Sequence, residues 1–149
     1  MKNYGAHQKL IGATKKLLCE KFPGIRIFNR SIGLFYAKRS GQLVPVRINK
    51  KGMADNWAVL PLTDGNKIYP IHLEIETKTG NAILTPDQKA WESFCTAMGW
   101  VHLVNRNAEQ TINNLYNLIY SEFNLRPHDP ILNRPVSYTH LTLPTIYSV

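Results

Sequence analysis

Apolar residues recur at Leu10, Ile11, Leu17 and Leu18 with lysines between them, and Pro23-Gly24 then breaks the pattern. This is the period of an amphipathic helix, predicted over residues 6–21. Short β-prone pieces follow at 25–28, 34–37 and 43–48, separated by 29–33 and by Ser40-Gly41, which predicts strands joined by tight turns. Residues 52–62 lead into another strand, and Thr63-Asp64-Gly65-Asn66 is a turn sequence ahead of a strand over 68–77, so a β-hairpin is expected here. In its second arm Leu73, Ile75 and Thr77 alternate with His72, Glu74, Glu76 and Lys78. The two-residue repeat of a strand sets those four polar side chains on one face and turns the other toward the core.

Residues 79–81 form a turn, and Thr85, Pro86 and Gln88 read as N-cap, first helical position and capping-box partner of a helix running to Met98. Gly99 ends it. Residues 100–104 read as a strand and 108–123 as a last helix with Ile112, Leu115 and Ile119 facing inward, joined by Tyr116 and Phe123. The order is approximately α-β-β-β-α-β-α, an α/β protein. Residues 136–149 carry no formal charge and continue no periodic element. They resemble translated adaptor read-through, so 127–149 is expected to be a tail outside a domain of residues 1–126, its last part an artefactual or disordered extension; a genuine flexible terminus is the other reading.

A chain of 149 residues has room for one core, and 44% hydrophobic with 19% charged residues excludes wholesale disorder. The net charge of +8 points to a polyanionic partner, and its distribution sharpens the point. Residues 1–51 hold twelve lysines and arginines against one acid, Glu20, so this segment is +11 and the remainder −3. Such a field draws phosphate backbones to one face and leaves another free to hold carboxylates together; the alternative is a solvated basic surface. Cys19 and Cys95 show no zinc-like spacing, and no signal peptide or run of 18 apolar residues is present. A cytoplasmic protein with reduced thiols and no membrane partner is expected.

Magnesium-assisted phosphodiester hydrolysis needs carboxylates that leave metal positions open for a water and a phosphate oxygen. Asp55, after the Gly52-Met53-Ala54 bend, and Glu76, on the far arm of the hairpin, are the candidates, because antiparallel pairing across Asp64-Gly65 brings their strands side by side. Lys78 lies two residues past Glu76 on the same face, within reach of a nucleophilic water or a phosphate. Two neighbouring carboxylates raise the pKa of one of them, a cost that a cation and this lysine relieve. Gln88 either points its amide toward Lys78 or a phosphate, or simply completes the cap of Thr85.

Gly52-Met53-Ala54-Asp55, then Glu76-Thr77-Lys78, then Leu84-Thr85-Pro86-Asp87-Gln88 resemble, in order and spacing, the signature of the virus-type replication-repair nuclease family of the PD-(D/E)XK superfamily. The similarity covers roughly residues 4–125. It implies a restriction-endonuclease-like core, a central mixed β-sheet flanked by helices, that cleaves DNA with Mg2+ or Mn2+. It further implies that Asp55, Glu76 and the backbone carbonyl of Thr77 hold the metal, that Lys78 orients the attacking water, and that Gln88 supports the lysine. The sequence departs from the family in the first helix. His7 and Gln8 stand where Glu then Gln is expected, so the helix acid is either replaced or supplied by Glu20, with Gln8 keeping the helix-face pattern.

Glu74 is a second ligand or, the favoured reading, an ordinary salt-bridge partner. His72 and His102 read as surface histidines rather than ligands, and Trp57, Trp91 and Trp100 as packing residues rather than base-stacking ones. Arg30 and Ser31, in the polar loop 29–33, with Lys50 and Lys51, are the expected DNA contacts, a plain turn being the alternative for the loop. A homodimer would let one small domain cut both strands, although no apolar helix face announces an interface. The resulting expectation is a metal-dependent DNA endonuclease acting on branched or nicked DNA. Against it stand an inactive nucleic-acid-binding module on the same fold and an unrelated interaction protein.

Overall fold

The computed structural model describes residues 4–131 and 134–135. Helix α1 (Tyr4–Lys21) leads to β1 (Arg26–Asn29), β2 (Gly33–Arg39), β3 (Gln42–Ile48), β4 (Asn56–Thr63) and β5 (Ile68–Thr77). Helix α2 (Pro86–Ala97), β6 (Val101–Asn105) and α3 (Ala108–Asn117) follow; α3 runs into a π-helical turn (Leu118–Glu122), and β7 (Arg126–Asp129) and β8 (Arg134–Pro135) close the described chain. The protein is therefore mixed α/β, with a central mixed sheet flanked by three helices.

The sheet runs β6-β5-β4-β7-β8. β4 and β5 form the expected antiparallel hairpin, in the register Asn56↔Ile75 through Thr63↔Ile68, and β6 lies parallel to β5 after the α2 crossover. The second edge of β4 is shared, β1 pairing with residues 56–59 and β7 with Leu62 and Thr63. The domain boundary expected after residue 126 thus falls inside a strand, because Arg126 and Pro127 pair with the part of the β4 edge that β1 leaves open. Neither β7 nor β8 carries an alternating pattern that predicts it. The proposed artefactual extension, 136–149, lies outside the described residues.

One face of the sheet carries Ala58, Leu60, Leu73, Ile75, Val101 and Leu103, and these pack with Leu18 and Phe22 of α1 and its following turn and with Ile112, Leu115, Tyr116 and Ile119. Burial of such side chains contributes about 1.5–3 kcal/mol each and is the main support of the fold. Within this core Asn105 holds three elements by hydrogen bonds. Its Nδ2 donates to Thr14 Oγ1 at 2.9 Å and Thr77 Oγ1 at 3.1 Å, and its Oδ1 accepts from Thr111 Oγ1 at 2.9 Å.

The opposite face carries His72, Glu74 and Glu76 as the alternation requires, yet it is also covered. An aromatic stack runs from Phe28 through Trp57 and His72 to Trp100, with centroids 4.3, 5.6 and 4.1 Å apart, and Trp91 and Phe94 of α2 close against Trp100. The histidines expected at the surface are in fact enclosed: His72 lies between two tryptophans, and the His102 ring is 3% exposed beside Glu92. Glu74 is fully buried, and Arg30 reaches it with a fork, Nη1 to Oε2 at 2.7 Å and Nη2 to Oε1 at 3.0 Å, while Nη1 also donates to the Ala54 carbonyl at 3.2 Å. The salt-bridge reading of Glu74 holds, and the same pair commits the Arg30 guanidinium to the interior.

β2 and β3 form a separate two-stranded sheet. Its Ser40-Gly41 turn has positive φ at both residues, +49° and +80°, the backbone that a two-residue hairpin loop requires. Gly52, at φ +92°, lies so close to α2 that a side-chain carbon there would run into the Asp87 carbonyl, which fixes the loop leading to Asp55 against that helix.

Removing one member of the Arg30–Glu74 pair strands a buried charge. Arg30→Met is expected to lower stability by about 3–5 kcal/mol, while Arg30→Met with Glu74→Met restores most of the loss. Urea unfolding of the two variants checks this; equal losses would show that the pair is not desolvated as described.

Candidate functional site

Extending the Asn56↔Ile75 register by one residue sets Asp55 across from Glu76, at the end of the sheet where β5 delivers its chain to α2. Asp55 Oδ2 accepts a hydrogen bond from the Thr77 backbone N–H at 2.9 Å, locking its carboxylate to the neighbouring strand. Glu76 is 4% exposed. Burial and the nearby Asp55 charge push its carboxyl from 4.5 up to about 7, against the opposing pull of Lys78.

Lys78 follows β5, its backbone N–H held by the Asn105 carbonyl at 2.9 Å. Its ammonium donates to Gln88 Oε1 at 2.7 Å and lies 3.4 Å from Glu76 Oε1. Gln88 serves in both of its expected roles at once. Its backbone N–H and side-chain oxygen complete the capping box with Thr85, and the same oxygen receives Lys78. Its Nε2 donates to Glu76 Oε1 at 2.6 Å. The amide can face only one way, since reversing it would set an NH2 group against an ammonium and a backbone N–H.

The first helix contributes a residue that motif reading did not select. His7 Nε2 lies 3.1 Å from the Thr77 carbonyl and 3.4 Å from Asp55 Oδ2. Because a carbonyl only accepts, Nε2 carries the hydrogen and donates. Glu20 is exposed in the last turn of α1, thirteen residues past His7, hence roughly 20 Å along the helix axis, and so supplies nothing here. Gln8 is exposed beside His7 and does not make that contact. A signal for His7 exists in the sequence: with Leu10, Ile11, Thr14, Leu17 and Leu18 it forms one stripe of α1, in which His7 and Thr14 are the polar members.

Among the described residues no three His, Cys, Asp or Glu side chains are grouped to hold a metal ion. The donors present are oxygens: the Asp55 and Glu76 carboxylates and the Thr77 carbonyl, which follows Glu76 in the chain. Three oxygens with the remaining positions left to water suit a hard divalent ion of the magnesium type. The elevated Glu76 pKa reports its burial first and the Asp55 charge second, which together outweigh the pull of Lys78.

Of the expected DNA contacts, Arg30 is turned inward. Ser31 is exposed, its carbonyl accepting from Asn49 Nδ2 at 2.7 Å. Lys50 and Lys51 are exposed on the turn before Asp55, beside a cleft of about 190 Å³ lined also by Asp87, Trp91 and Phe94, with Lys51 3.3 Å from Asp87. No helix is long and apolar enough to cross a membrane among the described residues, and both cysteines are free. No protein-family model, curated protein or solved structure matches the chain.

Because the folded Glu76 holds its proton more tightly than the unfolded chain, its contribution favours folding at low pH and is lost as pH rises from 4.5 through about 7. Glu76→Gln keeps a neutral group at every pH. It is expected to be more stable than the wild type by up to about 3 kcal/mol at pH 8, with the gap closing near pH 4.5, as read from urea unfolding at both pH values. A gap independent of pH would rule out the ionised carboxylate as its source.

Proposed function

We propose that the protein is a metal-dependent DNA nuclease with a restriction-endonuclease-like core, acting on phosphodiester bonds at the Asp55–Glu76–Lys78 site. The observation that carries the reading is the Gln88 amide, which joins the Lys78 ammonium to the Glu76 carboxylate on the strand opposite Asp55. A structural cap needs only the bonds to Thr85; the further bonds orient a cation and an acid toward one place. The ordered motifs resembling the virus-type replication-repair nucleases support the same reading.

In this proposal Asp55, Glu76 and the Thr77 carbonyl hold Mg2+ or Mn2+. When bound, the ion supplies charge neutralisation at the phosphate and a more acidic water. Lys78, fixed by Gln88, presents its remaining N–H groups to the attacking water or to a phosphate oxygen, and being positively charged it stabilises the negative charge that builds there. The Thr77 N–H fixes the orientation of the Asp55 side chain. The basic segment 1–51 draws the DNA in. Substrate competition among flaps, junctions, nicks and linear duplexes is expected to show a preference for branched or nicked DNA.

A second reading, an inactive DNA-binding module, has its own observation. His7 contacts Asp55 and the Thr77 carbonyl at the point where the resemblance implies an acid. Cleavage assays with Mg2+ and Mn2+ separate the two. The nuclease reading expects cutting that falls by on the order of 100-fold or more in Lys78→Ala and Asp55→Asn; binding without cleavage in either ion favours the inactive module, and equal cutting by the variants rejects the site.

Metal uptake gives a readout independent of turnover. Mn2+ is expected to raise the melting temperature of the wild type more at pH 8, where Glu76 is ionised, than at pH 5.5, and to leave that of Asp55→Asn nearly unchanged. Identical shifts in both proteins would place the ion elsewhere.

A further inference from the structure

Among the described residues the β2–β3 hairpin is joined by no ladder to the main sheet, and it is rooted at the site. The Arg30 backbone N–H donates to the Asp55 carbonyl at 2.9 Å, Asn49 Nδ2 bridges to the Ser31 carbonyl at 2.7 Å, and the returning chain turns through Lys50 and Lys51 directly into Asp55. With seven residues in each strand the ribbon is roughly 23 Å long.

Its surface is unusual for a free hairpin. One face bears Leu34, Tyr36 and Lys38 opposite Arg47, Pro45 and Leu43, and the other bears Phe35, Ala37 and Arg39 opposite Val46, Val44 and Gln42. Tyr36 is 64% exposed and Leu43 71%, and Lys38, Arg39 and Arg47 are exposed with no ion pair to any described residue. No acid occurs between Glu20 and Asp55. A solvated edge normally mixes both signs of charge, whereas this ribbon carries cations alone, interleaved with aromatic and aliphatic groups.

The geometry points to the hairpin being an arm that grips duplex DNA beside the cleavage site, lying along a groove with Lys38, Arg39 and Arg47 on the phosphates and Tyr36 against sugars and base edges. The inference rests on DNA being the substrate of the proposed site. It adds that the substrate has a duplex segment on the arm's side of the scissile bond. A two-stranded ribbon fits the major groove, which is about 12 Å wide, and the arm's length covers about two-thirds of the 34 Å of one duplex turn. Single-stranded DNA offers no such groove, so the arm favours duplex.

The test is binding of a 24-base-pair duplex and of its single strand by the full chain in EDTA, across a salt series. The variant Lys38→Ala/Arg39→Ala/Arg47→Ala is set against Lys67→Ala/Arg106→Ala/Arg126→Ala, which removes the same charge from exposed positions outside the basic segment 1–51. Each phosphate contact contributes about 0.9 to the slope of log affinity against log salt. Loss of the arm's cations is expected to reduce that slope by about 2–3 and to weaken duplex binding at least tenfold near 0.15 M salt, erasing the preference over single strand. The comparison variant is expected to change the slope by less than about 1. A photo-crosslinking residue at Tyr36 is expected to capture the duplex.

Equal slopes and affinities in the wild type and the arm variant would overturn the proposal, as would the absence of duplex binding by the wild type. Sedimentation as a dimer that the arm substitutions dissociate, with DNA affinity unchanged, would also overturn it and assign the ribbon to contact between copies. Arm-dependent duplex binding without cleavage in Mg2+ or Mn2+ would sustain the arm and reject the nuclease reading, so the two stand or fall separately.

Discussion

Asp55 and Glu76 repel one another across the end of the β4–β5 pair, and the burial of Glu76 deprives that repulsion of the water that would otherwise weaken it. Every polar group around them answers this constraint. The Thr77 N–H is spent on Asp55, Lys78 and the Gln88 amide on Glu76, and the His7 N–H reaches Asp55 and the Thr77 carbonyl from a third element. The surrounding fold keeps the two acids from moving apart. β1 and β7 both close on the far edge of β4, and Asn105 ties β5 and β6 to α1 and α3 just beneath Thr77.

The elements that build this arrangement were legible where a local pattern reports them. The bounds of β5 follow from its alternation, the β4–β5 register from the Asp64-Gly65 turn, and the start of α2 from Thr85, Pro86 and Gln88, each of which acts within a few residues of itself. The parts that escaped depend on partners distant in sequence. Arg30 reads as a phosphate ligand because nothing nearby in the chain announces Glu74, 44 residues away, and a buried carboxylate captures a guanidinium more strongly than solvent does. His7 is set by α1 lying across the end of β5, and β7 by a vacancy on β4; neither is written in its own neighbourhood. The polar face of β5 was correctly assigned, but the aromatic layer that roofs it joins residues of β1, β4, β5 and α2 with the segment before β6, and no single segment shows it.

The molecule therefore has two unlike halves. On one side of the sheet α1 and α3 form an apolar core with a small set of satisfied amides and hydroxyls. On the other, α2 covers charged groups and rings, and the acids sit where the two halves meet at the strand ends. Such a division lets a chain keep ionised side chains half enclosed without unfolding, because the core is supplied by the opposite face. The basic β2–β3 ribbon is then free to extend from this junction, since neither half needs it for closure.

Gln88 carries a consequence for which residues this position can tolerate. Glutamate caps a helix start as well as glutamine does, so selection for α2 alone would accept either. At this position a glutamate would add a third negative group beside Glu76 and lose the N–H that Glu76 now receives, and asparagine is one carbon too short to span both neighbours. A neutral side chain that accepts at one end and donates at the other is what Lys78 and Glu76 demand, so the identity of one helix-cap residue is dictated by these two neighbours rather than by the helix it begins.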